Sequence, residues 1–238
     1  SSLAIVIFAA LIHASFQLSV STLTLMSGHA IGKRTAKAKL LRFTGSFMIG
    51  VAVTTVLLVS TIAYLASQLL HDTTSPLVWS VVSGMLFTLG ISVWLFYFPK
   101  GRKGTSLWLP RTMAEFLSKR SKKTHNSGEA FGLGLTSVIA EGLFLIGPIT
   151  AASLALAALP PAWQLSGVIV YVVISMASLW VIGVLISAGY GLGKIQKWRE
   201  ANKKFLQFIA GGGLIILALY IYVERAVTAA VLATRGAL

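Results

Sequence analysis

The stretch 135-LTSVIAEGLFLIGPITAASLAL-156 sets the class of this protein. A bilayer's hydrocarbon core needs about 20 apolar residues in a helix, and this stretch supplies them. It also carries one carboxylate, Glu141, and one proline, Pro148. An ionised side chain at the centre of a membrane helix costs roughly 2.5–3.5 kcal/mol on insertion scales, so such residues usually face a cavity or a partner. Pro148 removes one backbone donor and frees a carbonyl one turn earlier, while Gly147 leaves that backbone accessible. The stretch therefore predicts a membrane helix with a polar break at Gly147–Pro148.

The rest of the chain has the same character. Of its 238 residues 56% are apolar and 11% charged, with a mean hydropathy of +0.83. Soluble domains usually carry about 25% charged residues. The net charge of +14 would point to nucleic acid in a soluble protein. Here 18 of the 20 Lys and Arg lie in three short segments between apolar runs. That is the positive-inside pattern of a polytopic membrane protein, and nucleic acid is not an expected partner. The absence of cysteine excludes disulfides, thiolate metal sites and dithiol redox chemistry. The opening SSLAIVIF has neither a starting Met nor a basic n-region, so a cleavable signal peptide is not expected.

Six segments are apolar enough to span, at roughly 3–26, 43–70, 76–98, 130–158, 163–190 and 205–224. The connections alternate. Segments 27–42, 99–129 and 191–204 hold five, eight and five Lys or Arg, whereas 71–75 (HDTTS) and 159–162 (LPPA) hold none. This places both termini outside the cytoplasm of a cell (inner or plasma) membrane. The expected fold is all-α, with residues 1–98 as one three-helix repeat, 99–129 as a basic cytoplasmic linker and 130–238 as a second repeat with a short extracytoplasmic tail.

A shift of about 128 residues superimposes the halves, setting Phe16 on Phe144, Thr22 on Thr150, Met48 on Met176 and Gly84 on Gly212. Equivalent loops then carry opposite charge character, which makes the repeats inverted. Inverted repeats recur in secondary transporters, whose sites lie near the midplane at broken helices of the repeat interface. The same shift puts His13 on Glu141. His13, Gln17 and Ser21 are spaced as one polar stripe of a continuous helix, and Ser137 shares a face with Glu141. The predicted solute or ion site is therefore His13, Gln17, Ser21, Ser137, Glu141, Gly147, Pro148 and Thr150, with no metal and no cofactor. Glu141 is expected to carry a proton for part of a transport cycle and to exchange it with His13.

Other features read more plainly. Gly183, Ser187 and Gly191, like Ser46 and Gly50, have the small-xxx-small spacing of close helix packing. The string 189-GYGLGK-194 lacks the Ser/Thr and the strand–loop–helix setting of a phosphate loop. Within 100–129, Met113, Phe116 and Leu117 would share one face of a short amphipathic helix followed by Lys119, Arg120, Lys122 and Lys123, suited to an anionic lipid surface.

Two inverted triplets, polar breaks in the first and fourth spans, and a basic loop after the first resemble the lysine-exporter (LysE) superfamily. The resemblance covers nearly the whole chain and rests on pattern more than motif. That group includes amino-acid exporters, metal-cation exporters and the CcdA-like electron carriers. Where the carriers have cysteines, this chain reads 17-QLSVST-22 and 145-LIGPIT-150. It has one intramembrane acid where the metal exporters have several, and its Gly-Pro lies in the fourth span instead of the first. The resemblance implies a secondary transporter working by alternating access: a proton-linked exporter of a small solute, amino acid-like or cationic, bound at the midplane between repeats. The alternative is a non-transporting membrane component that docks a partner through its basic cytoplasmic loops. An enzyme is not expected, since HExxH, GxSxG and a second intramembrane acid are all lacking. Expected partners are the lipid bilayer, a small solute or ion, and at most a second copy of the chain as a homodimer.

Overall fold

The computed structural model describes residues 2–16, 18–31, 37–70, 75–96, 116–117, 119–121, 123–188, 192–228 and 231, and among these there is no strand. Ten longer helices follow in order. They are α1 (Ser2–Ser15), α2 (Leu18–Ile31), α3 (Lys37–Leu69), α4 (Pro76–Phe96), α5 (Ser127–Ala140), α6 (Gly142–Ala157), α7 (Pro161–Ser175), α8 (Ala177–Ser187), α9 (Leu192–Ala201) and α10 (Lys203–Ile221). The last runs on through a π-helical turn, Tyr222–Val227. Helices suit an apolar medium because they satisfy their backbone groups internally. Helices α3, α4 and α10 with its π-turn are each long and apolar enough to cross a membrane. Three bent pairs pass the same test if each is one span, giving three to six candidate spans. Large apolar side chains are exposed on most of these helices, for example Leu77, Leu165 and Val184. A water-soluble monomer rarely exposes so much, whereas lipid covers it. The chain is an integral membrane protein by this reading of its apolar helices.

Three of the six expected spans are not continuous helices. The first segment bends by 43° between Ser2–Ser15 and Ser19–Met26, the fourth by 80° between α5 and α6, and the fifth by 51° between α7 and α8. In the fourth segment the break falls at Glu141, not at Gly147–Pro148. Helix α6 continues through Pro148, which is buried in its interior. A serine hydroxyl bonded three residues back lies within four residues of each bend, although Thr24 of α2 and Ser67 of α3 make the same bond without one. Ser15 donates to the Ile12 carbonyl at 2.6 Å, Ser137 to that of Gly134 at 2.9 Å and Ser175 to that of Val172 at 3.0 Å. Such back-bonding offers the carbonyl an alternative to its helical partner and often bends helices.

Every major interface joins the two halves of the chain: α3 packs on α5 and α6, α4 on α10, and α1 on α6 and α7. At the α3–α5 crossing a Cβ on Gly50 would overlap the Phe131 carbonyl, and one on Gly134 would overlap that of Phe47. Glycine alone lets these backbones meet. The α4–α10 crossing repeats the device at Gly90 and Gly211. There the Trp94 ring stacks on Phe208 at 5.7 Å and its Nε1–H donates to the Phe208 carbonyl at 3.2 Å. Gln207 Nε2–H donates to the Val93 and Trp94 carbonyls at 2.7 Å.

Candidate functional site

His13 sits in the last turn of α1 and is buried. Its Nδ1 lies 3.0 Å from the Tyr171 hydroxyl of α7, and Tyr171 is itself fully buried. A buried phenol and a buried imidazole each need a partner, and they find one in each other. With neutral His13 in the Nε2–H tautomer, the Tyr171 hydroxyl donates and Nδ1 accepts. A proton on Nδ1 reverses the roles.

The predicted stripe His13–Gln17–Ser21 does not persist as one face. The bend after Ser15 separates α1 from α2, and Gln17 lies outside the described residues. Ser21, on α2, receives a 2.7 Å hydrogen bond from Arg199 Nη2 of α9, whose side chain is buried although charged. Ser21 therefore belongs to a contact between α2 and α9, apart from the His13–Tyr171 pair.

Glu141 is the hinge residue of the fourth segment and is buried, at 3% exposure. Its backbone (φ −86°, ψ −2°) lies in the turn-like bridge region where active-site residues often sit. Its N–H donates to the Ser137 carbonyl at 3.2 Å, closing α5, and its carbonyl accepts the N–H groups of Phe144 and Leu145 at 2.9 and 3.2 Å, opening α6. The residue thus stands at the N-terminus of α6, the end of a helix that stabilises negative charge. One turn earlier, Ser137 is fully buried and its Oγ lies 3.2 Å from Ser19 Oγ of α2.

The breaks of the first and fourth segments are joined by an aromatic stack. The Phe16 and Phe144 rings lie 6.0 Å apart, inclined by 21°. Each phenylalanine follows the polar residue of its half, His13 or Glu141, by three positions. Gly147 and Pro148 lie seven and eight residues along the fourth segment from the buried end of α5, inside α6. A Cβ on Gly147 would press on Leu89 and Leu86 of α4, so its role here is close packing. Thr150 is half-buried further along α6.

Four residues outside the predicted set complete the picture: Tyr171, Ser19, Arg199 and Ser178, whose Oγ–H donates to the Ala14 carbonyl of α1 at 2.5 Å. Tyr171 reads in sequence as one aromatic in an apolar run, and Arg199 as one cation among five in its connection. Mid-span hydroxyls were the available signal, but nothing local ranks them. Among the described residues, no three His, Asp or Glu side chains gather as metal ligands. Comparison of the chain with family models, curated proteins and solved structures finds no match.

Proposed function

We propose that this protein is a secondary transporter of the LysE type, built as two inverted three-helix repeats, that exports a small amino acid-like or cationic solute in exchange for protons. The supporting observation is the meeting of the two breaks. Phe16 and Phe144, equivalent under the 128-residue shift, stack on one another, as residues do near a pseudo-twofold axis relating two repeats. Beside that axis each half contributes one buried titratable group, His13 or Glu141. Broken helices carrying polar groups at a repeat interface are where carriers of this architecture bind solute and coupling ion.

In this mechanism Glu141 binds a proton or the cationic part of the solute, and the N-terminus of α6 holds its charge when it is empty. His13 shares a proton with Tyr171, so its hydrogen bond inverts as the proton arrives or leaves. The bends at Phe16 and Glu141 divide two segments into half-helices that can tilt separately and expose the pair to one side at a time.

The test is flux from purified protein. Protein in liposomes enclosing a pH-sensitive dye is given outward gradients, one at a time, of the common amino acids and of monovalent and divalent cations. At least one gradient should change internal pH in protein-containing vesicles only. If no gradient moves protons while a protein partner co-purifies, the chain is a docking component instead.

A further inference from the structure

A cavity of about 280 Å³ opens where the end of the long basic connection meets α5. Arg120 and Lys123 line one wall, Phe116 and Leu133 give it apolar surface, and Gly132 and Thr136 of α5 form its floor. The Arg120 guanidinium lies over the Phe116 ring at 5.9 Å, and both cations are exposed. The Arg120 charge acts on the Glu129 carboxylate of the same lining, so one of the two cations is partly offset. Glu129, the one acidic group in the lining, accepts the His125 N–H at 2.7 Å and leaves two cations against one carboxylate. The lining keeps a net positive charge.

An apolar track leads away from these cations. Gly132, Thr136 and Ile139 are spaced i, i+4 and i+7 on one face of α5, and Ile139 is 59% exposed. Leu143 is exposed beyond the bend. A Cβ on Gly132 would meet nothing within 4 Å, so the floor is open space. Two cations at the mouth of a groove with an exposed apolar track below match an anionic headgroup with acyl chains. The groove also lies at the end of the basic connection, and anionic lipids attract basic segments at a membrane surface.

We propose that this groove binds one anionic phospholipid, its phosphate between Arg120 and Lys123 and its chains along the Gly132–Ile139 face of α5. The site lies on the flank of the segment that bends at Glu141. The proposal does not depend on transport.

Binding is measured on full-length purified protein in neutral detergent with fluorescent phosphatidylglycerol, using phosphatidylcholine and glycerol 3-phosphate as competitors. The Arg120→Gln/Lys123→Gln variant should raise Kd about 30-fold or more, the loss of two hydrogen bonds to the phosphate at roughly 1 kcal/mol or more each. Lys194→Gln/Lys197→Gln removes the same charge from exposed positions of α9 and should leave Kd unchanged. Gly132→Phe fills the groove without altering charge and should also abolish tight binding. Equal losses from both charge variants would reduce the attraction to diffuse surface charge and overturn the proposal. Effective competition by glycerol 3-phosphate would overturn it in favour of a soluble anion, and unchanged binding by Gly132→Phe would remove the groove from the site.

Discussion

Helix α3 runs for 33 residues without interruption, whereas the segment that the 128-residue shift sets on it is two helices meeting at Met176 with a 51° bend. Met48 and Met176 are equivalent under the 128-residue shift, and neither segment has a proline at that point. One residue earlier the two segments differ. Ser175 donates to the carbonyl three residues back, while its equivalent Phe47 has no hydroxyl to do so. Helix α3 also contains back-bonding hydroxyls, Thr54 and Thr55 reaching four residues back and Ser67 three, and none of them interrupts the helix. Serines bonding three residues back stand at the other two bends as well. Two halves can therefore share a pattern of apolar segments and still differ in shape, and a hydroxyl bonded three residues back accompanies the bend at Met176 without sufficing for one, since Ser67 makes the same bond in unbroken α3.

The comparison breaks most completely if the halves are not inverted. The chain lacks cysteine, so single introduced thiols report cleanly. In intact cells Thr74→Cys and Ala162→Cys should react with an impermeant thiol reagent, and Ala36→Cys and Ala201→Cys should not. Labelling on the reverse sides would end both the topology and the inverted repeat.

A smaller effect separates the polar groups of the two halves. Tyr171→Phe removes the hydroxyl that pairs with His13 and should lower stability by about 1 kcal/mol, read from unfolding in detergent. Unchanged stability would mean that His13 finds another partner, and the first half's polar break would then be less fixed than described. The smallest effect sharpens the account of bending. Ser175→Ala should straighten the fifth segment at a cost of a few tenths of a kcal/mol. Spin labels on Leu165→Cys and Val184→Cys should then move apart by about 3 Å, from the helical rise on either side of the bend. An unchanged distance would assign the bend to packing against α1.

The sequence carried the helical class and the apolar segments plainly, because both follow from composition and run length. Bend positions were less legible. Pro148 and Gly147 signal a break by local chemistry, yet α6 continues through them, with Gly147 packed closely on Leu86 and Leu89. The actual hinge residue, Glu141, is itself neither glycine nor proline, so its identity does not reveal the break in sequence. His13, Ser137 and Glu141 were legible as polar residues in apolar runs, and all three are buried. Tyr171 and Arg199 were not, since their roles arise from partners 158 and 178 residues away.

The most direct test of the central claim is pH-gradient-driven flux through Glu141→Gln, measured in liposomes with the solute that moves protons through the native protein. Glutamine keeps the shape and hydrogen-bonding capacity of the side chain but cannot titrate. The account predicts that this variant folds, melts no lower than the native protein and loses flux driven by the pH gradient. Full pH-dependent flux through Glu141→Gln would remove Glu141 from the mechanism, and failure to fold would make its carboxyl a structural group instead.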